Sequence, residues 1–290
     1  MRLKALMNQE VNMKKRHGAV KLMTSFAVVL AFCLLFASNL YAAEVIKIGG
    51  TGSALATMRA IADIFEKENP GVKVEVLPSL GSTGGIKAVL KGAIDVAVSG
   101  RELNDGEKKE GAKQVEYASS PFVFVTNKNN ISNLTIKEIV GIYEGSETTW
   151  PDGKRIRLIL RPEKETSSII LRGISTEIRE AVEKAYKRPG MIVAITDQEC
   201  AETLQKTPDS FGTLTLDQII SEKLSLNVLS VNGVKPSVKA LAKGSYKLFK
   251  PYYIVTTDKT SEQAKKFISY LFTDRGIGIL EENGYLVTRK

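Results

Sequence analysis

The sequence predicts an α/β fold of two lobes, each a mostly parallel sheet flanked by helices, joined by two crossing strands. Three observations lead there. Short apolar strands alternate with segments of helical periodicity, the pattern of parallel strands linked by right-handed crossovers. Turns rich in glycine and hydroxyls recur at the carboxyl ends of these strands, the edge at which open α/β sheets bind ligands. Two similar apolar strands, 121–125 and 251–255, bracket the middle of the chain, so one lobe comes from both ends and the other from the middle. The expected boundaries are 44–120 plus 251–290 for the first lobe and 121–250 for the second.

The amino terminus stands apart from this fold. Lys14, Lys15, Arg16 and Lys21 precede an apolar run over 22–37, and the small residues Ala42 and Ala43 follow. That is the order of a secretory signal peptide, so 1–43 is assigned to a cleaved leader and the protein to the periplasm. The run is short against the roughly 20 apolar residues of a spanning helix, with an uncleaved anchor as the alternative. Met13 is a second candidate start, and Cys33 follows bulky Phe32 inside the run, unlike a lipoprotein cysteine.

Cleavage changes the chemistry that remains. Arg2, Lys4, Lys14, Lys15, Arg16 and Lys21 leave with Glu10, so a formal charge of +9 becomes +4 and nucleic acid loses its support as a partner. His17 leaves too, which rules out histidine triads and histidine-ligated metals in the mature chain. Cys200 alone remains, unable to form an internal disulfide and a poor zinc site by itself. No cofactor or metal is expected.

Taken in order, a strand over 45–48 runs into Thr51, Gly52 and Ser53, the first polar turn. A helix follows, with Leu55, Met58, Ile61, Ile64 and Phe65 at helical spacing until Asn69, Pro70 and Gly71 stop it. The strand 72–76 leads to the second turn, 81–85, with Ser82, Thr83 and Gly84 ahead of a helix from Ile86 to Lys91. Glycine lets the backbone approach a ligand, and the free amides and positive dipole of a helix start make a seat for a small anion. A third strand, 94–98, ends in Ser99, Gly100 and Arg101. Ser99 reads equally as a helix cap, and Arg101 could pair with Glu102.

Beyond the first crossing strand, 134–140 reads as a capped helix and 148–153 as a turn carrying the single tryptophan. A strand over 156–160 leads to the fourth polar turn, 161–168, where Arg161 stands with Thr166, Ser167 and Ser168 before a helix opening at Ile169. A surface helix over 177–187 and a strand over 191–195 follow, and Thr196 with Asp197 reads as a helix cap rather than a ligand contact. Helices around 201–205 and 264–272, a strand reached through 208–214 and a closing segment over 276–286 complete the chain.

These residues resemble the substrate-binding protein family of the bacterial phosphate ABC transporter, two-lobed periplasmic binding proteins of type II. The resemblance rests on the segments 50–53, 81–87, 95–101, 133–139, 149–153 and the turn at Arg161, in family order across 44–290. It implies a ligand held between the lobes by hydroxyls, backbone amides and arginine. Thr51 and Ser53 then fall in the first anion turn, Ser82 and Thr83 in the second, and Arg161 matches the family's arginine. Two departures stand out. Glu165 precedes Thr166 and Ser167 where the family often has a serine, glycine and threonine after its arginine. Gly100, with Arg101 beside it, occupies the place where the best-known members carry an aspartate that accepts the proton of hydrogen phosphate.

The expected function is therefore capture of an inorganic oxyanion, phosphate first, by a monomeric binding protein that delivers it to a membrane permease. The alternatives are sulfate, molybdate or tungstate, which need no proton acceptor, and an exported sensor or adhesion module without a transporter. The binding residues are Thr51, Gly52, Ser53, Ser82, Thr83, Gly84, Ser99, Arg101, Arg161, Thr166 and Ser167. Whether Glu163 or Glu165 enters the pocket is left open. An enzyme is not expected: the mature chain has no histidine, and its serines sit in glycine turns with no evident base.

Overall fold

The strands and helices alternate as expected in the first part of the chain. In the computed structural model, which describes Met13 and residues 44–288, β1 (Glu44–Gly50) passes through one turn of 3-10 helix (Gly52–Ala54) into α1 (Leu55–Glu68). The leader expected over 1–43 lies, Met13 apart, outside the described residues. Helix α1 buries Met58, Ile61, Ala62 and Phe65 on one face, the stripe its spacing requires. β2 (Val72–Val76), α2 (Gly81–Leu90) and β3 (Val96–Ser99) complete the parallel unit, with β1 paired to β2 on one side and to β3 on the other. Helix α2 begins at Gly81, five positions before the expected Ile86, so Ser82, Thr83 and Gly84 are its first turn rather than a preceding loop.

A short helix α3 (Asp105–Lys109), fixed by a reciprocal Asn104/Glu107 capping box, leads into β4 (Lys113–Thr126). At 14 residues, β4 starts well before the apolar run at 121. β5 (Asn133–Leu134) and α4 (Ile136–Glu144) follow, the helix opened by Thr135 and Glu138 and closed by Gly145 at φ 90°. Next come β6 (Arg157–Leu160), α5 (Thr166–Arg172), α6 (Thr176–Lys187), β7 (Ile192–Val193) and α7 (Asp197–Lys206). The remainder is β8 (Ser210–Thr215), α8 (Leu216–Ser221), β9 (Asn227–Val228), β10 (Ser230–Val231), α9 (Val238–Ala242), β11 (Phe249–Thr256), α10 (Glu262–Tyr270), α11 (Asp274–Glu282) and β12 (Leu286–Val287).

One sheet of ten strands carries the molecule in the order β2-β1-β3-β11-β4-β8-β6-β7, with β9 and β12 also on β4. Its outer strands are parallel and its middle antiparallel: β11 pairs antiparallel with β3 and β4, and β4 with β8. The crossing strands are thus the centre of one continuous sheet rather than separate links. β4 gives residues 113–121 to β11 and 122–125 to β8.

Packing follows the same division. One core gathers Ile46, Met58, Phe65, Tyr252 and Phe267 around β1, β3 and β11, and another gathers Phe124, Ile139, Trp150, Ile178 and Phe211 around β6 and β8. Trp150 packs edge-on against Phe211, ring centres 6.0 Å apart, and its indole donates to the Asp209 carbonyl at 3.1 Å. Cys200 is buried beside β8, and burial pushes its thiol up to about 12, as expected of a packed cysteine. Among the described residues no helix is long and apolar enough to cross a membrane.

Candidate functional site

The polar turns expected from the sequence converge at the carboxyl edge of the strands. The first is set by Gly50, whose φ of +134° and near contact with the Val98 carbonyl leave no room for a Cβ. The Thr51 amide donates to that same carbonyl at 2.8 Å, and both Thr51 and Ser53 are buried. The second turn opens α2. Ser82 is buried, and its Oγ accepts from the Gly100 amide at 2.9 Å and from Thr166 Oγ1 at 3.2 Å. One hydroxyl therefore joins the second, third and fourth turns.

Arg161 leaves the end of β6 with a guanidinium only 6 % exposed. Its Nη1 donates to the Ala194 carbonyl at 2.8 Å, its Nη2 lies 3.4 Å from Asp197 Oδ1 and 3.6 Å from Glu165 Oε1, and its buried Nε has no partner. Thr166 and Ser167 are buried next to it at the start of α5, where Glu165 Oε2 accepts from the Ser167 amide at 2.7 Å. Glu165 thus reaches the site, whereas Glu163 is exposed. Tyr186 braces the turn by donating to the Arg161 carbonyl at 2.6 Å.

Four of the expected residues sit differently from the rest. Thr83 is exposed, and Arg101 turns outward to a two-point ion pair with Glu107, at 2.7 and 2.9 Å, while also donating to Thr83 at 3.2 Å. The pairing of Arg101 is thus with Glu107 and not with the Glu102 carboxylate, and it holds the Glu107 carboxyl below its usual range. Ser99 spends its hydroxyl on its own turn, donating to the Arg101 carbonyl at 2.6 Å and accepting from the Arg101 amide at 3.2 Å. Gly84 lies half-buried one turn into α2. The geometry therefore gathers Thr51, Gly52, Ser53, Ser82, Arg161, Thr166 and Ser167, and sets Thr83 and Arg101 outside that group.

Two charged residues join the group without having been expected there. Thr196 caps α7, accepting from the Glu199 amide at 3.1 Å, but Asp197 is more than part of a cap. Its Oδ2 accepts from the Ser53 amide at 3.2 Å while Oδ1 faces Arg161. Burial pushes this carboxyl up, yet Lys250, Arg161 and the amides of Ser53 and Gly52 outweigh it and hold the pKa below the ordinary 3.8. Lys250, fully buried, donates from Nζ to Thr51 Oγ1 at 2.9 Å and to Ser53 Oγ at 3.1 Å. The sequence signal for Lys250 is a lysine between Phe249 and Pro251 at the head of an apolar strand; for Asp197 it is a polar turn at another strand end.

Further contacts tie the two cores together here. Gln198 donates to the Gly52 carbonyl at 3.0 Å, and Ser53 Oγ lies 2.9 Å from the Tyr252 hydroxyl. Tyr252 in turn donates to the Asp217 carboxyl at 3.0 Å. Burial raises the Asp217 pKa, opposed by Thr215, Tyr285, Lys250 and Ser120. A surface groove of about 720 Å³ beside Phe272 and Ile277 shares no residue with this site. Among the described residues no group of acidic, cysteine or histidine side chains is arranged to hold a metal.

One mixed sheet with a shared central strand and helices on its faces, carrying buried hydroxyls and a guanidinium at its strand ends, has the fold of the two-lobed periplasmic binding proteins. The PBP superfamily domain matches residues 37–275, and the chain belongs to that superfamily. It is 27% identical over 274 residues to the phosphate-binding protein PstS of Borreliella burgdorferi, covering 89% of this chain and 98% of that protein. A Clostridium perfringens protein assigned as a phosphate ABC transporter substrate-binding protein, solved with bound phosphate, superposes with a TM-score of 0.72 at 23% identity, covering 85% of this chain and 100% of that one. The periplasmic molybdate-binding protein of Azotobacter vinelandii superposes at 0.60 with 16% identity, covering 84% of this chain and 100% of that one.

Proposed function

We propose that this protein captures phosphate between two lobes outside the cytoplasm and delivers it to the membrane permease of an ABC transporter. The observation that carries this reading is Arg161: a buried guanidinium with an unpartnered Nε, linked through Asp197 to the turn of Thr51 and Ser53 and through Glu165 to the turn of Thr166 and Ser167. A tetrahedral oxyanion entering there exchanges its hydration for fixed donors, the charge-assisted bond to Arg161 being the strongest. The name of the Borreliella burgdorferi relative and the phosphate bound in the Clostridium perfringens structure support phosphate as the ion. Asp197 supports it as well. An ionised carboxylate accepts the proton of hydrogen phosphate and repels an oxyanion that has none, supplying from α7 the acceptor that Gly100 lacks.

The reading extends to organisation. We assign 44–120 plus 251–290 and 121–250 to the two lobes, 1–43 to a cleaved leader, and capture itself to a monomer. Thermal unfolding of the ligand-stripped protein with phosphate, sulfate, molybdate and tungstate tests it, because a ligand that binds only the folded state raises the melting temperature. Phosphate is expected to raise it. A rise with sulfate or molybdate and none with phosphate would change the ion; no rise with any of them would overturn capture.

A further inference from the structure

Lys250 belongs to none of the polar turns, yet its ammonium lies among them. It is 0 % exposed and is the second residue of β11. Its hydrogen bonds go to the first turn, at Thr51 Oγ1 and Ser53 Oγ, and its Nζ stands 5.6 Å from the centre of the Tyr252 ring. A Cβ on Gly100 would overlap Lys250 Cε and lie 3.3 Å from both Lys250 Nζ and Thr166 Cγ2, so the ammonium also fills the space between the third and fourth turns.

Such a position is expensive unless something answers the charge, because a fully buried ammonium without a counter-ion gives up its hydration for little. Both hydrogen-bond partners of Lys250 are neutral hydroxyls; the buried carboxyls of Asp197 and Asp217 feel its charge, but among the described residues neither stands within ion-pair distance of it. An ammonium has three N–H donors, and two are accounted for. The same two hydroxyls belong to the group gathered around Arg161, the other cation of the site.

We propose that Lys250 is a direct charge partner of the captured oxyanion, which is held between the Arg161 guanidinium and the Lys250 ammonium. The inference rests on the oxyanion reading and deepens it: the charge of the ligand is met from two sides, by a guanidinium at the end of β6 and an ammonium on β11. It also fastens the ligand to β11, a strand hydrogen-bonded to both β3 and β4.

The test is calorimetric titration of phosphate into the purified, ligand-stripped wild type, Lys250→Met, Lys250→Gln and Arg161→Ala. Lys250→Met is expected to weaken phosphate binding by about 10- to 100-fold while the ligand-free melting temperature stays level or rises, the outcome for a buried charge replaced by a packed apolar side chain. Lys250→Gln should be as weak as Lys250→Met, since it keeps donors but not the charge. Affinity within about twofold of wild type in Lys250→Met overturns the proposal. Recovery in Lys250→Gln also overturns it, reducing Lys250 to an orienter of the Thr51 and Ser53 hydroxyls. Should both variants fail to fold, a crystal structure of the wild-type phosphate complex decides: Nζ at about 3 Å from an anion oxygen upholds the proposal and a separation beyond about 4 Å overturns it. Wild type that binds no oxyanion defeats the capture reading itself, whereas wild type that binds alongside an unaffected Lys250→Met defeats the lysine alone.

Discussion

Gly100 and Lys250 compete for one space: a Cβ on the glycine would overlap the Cε of the lysine. The absence of a side chain after β3 is what lets a buried ammonium stand against Thr51 and Ser53. Both positions are therefore fixed by one steric fact.

Gly100→Ala should expose that dependence. Overpacking of a close-packed interior costs about 1–3 kcal/mol, and the ammonium can escape only by leaving its hydroxyls. Denaturant unfolding and phosphate titration are expected to fall together. Unchanged values in both would mean the lysine yields freely.

Arg161→Ala removes a donor from the Ala194 carbonyl and a counter-charge from buried Asp197. Breaking a buried pair from one side costs about 3–5 kcal/mol, so the variant should unfold at clearly lower denaturant and lose phosphate-induced stabilisation. Arg161→Lys should recover little of either, because one ammonium cannot take the place of a fork that bonds in two directions. Full recovery in the lysine variant would contradict this geometry.

Ser82→Ala leaves the Gly100 amide without its acceptor and Thr166 Oγ1 without the bond that joins α5 to α2. An orphaned buried donor costs about 1–3 kcal/mol. Loss of stability and of anion affinity is expected from this single hydroxyl, read by chemical unfolding with and without phosphate.

Arg101→Gln provides the contrast. Its guanidinium is engaged by Glu107 in a two-point pair at the margin of the site, so its loss is expected to fall on stability rather than on the seat. Phosphate affinity within about twofold of wild type is expected; a loss like that of Arg161→Ala would bring Arg101 into the seat.

Two buried aspartates should respond to pH with opposite sign. The Asp197 pKa is depressed in the folded state, so its stabilisation is present above the unfolded value of 3.8 and is lost as pH falls through the folded pKa. The Asp217 pKa is raised, so its contribution is fully present below 3.8 and declines as pH rises through the folded pKa. Asp197→Asn should therefore destabilise at pH 7, and Asp217→Asn should leave stability unchanged or higher there while keeping an acceptor for Tyr252. Unfolding titrations of both variants at neutral pH check the pair; like signs would refute it.

The sequence made the alternation of strands and helices legible because Ile46, Ile48, Met58, Ile61 and Phe65 keep their period without interruption. It obscured the length of β4, where Glu116, Ser119 and Ser120 break the apolar run although the strand continues, pairing with β11. Ser120 is buried there because its hydroxyl serves the Gly284 carbonyl and the Asp217 amide, partners distant in the chain. The site was legible where one turn carries its own hydroxyls, as at Thr51, Ser82 and Thr166. Lys250 and Asp197 were not, for a reason of the same kind. A charged residue at the head of a strand or helix reads locally as an edge or a cap, and only the packing of remote elements turns it inward.

β4 changes partner between Pro121 and Phe122, from β11 on one stretch to β8 on the next. The two ladders overlap at the junction, because the Phe122 amide also donates to the Leu248 carbonyl, just ahead of β11, at 3.0 Å. The junction is therefore a splice: Phe122 is stitched to Thr215 on one side and to Leu248 on the other, so neither half of the sheet ends where the other begins.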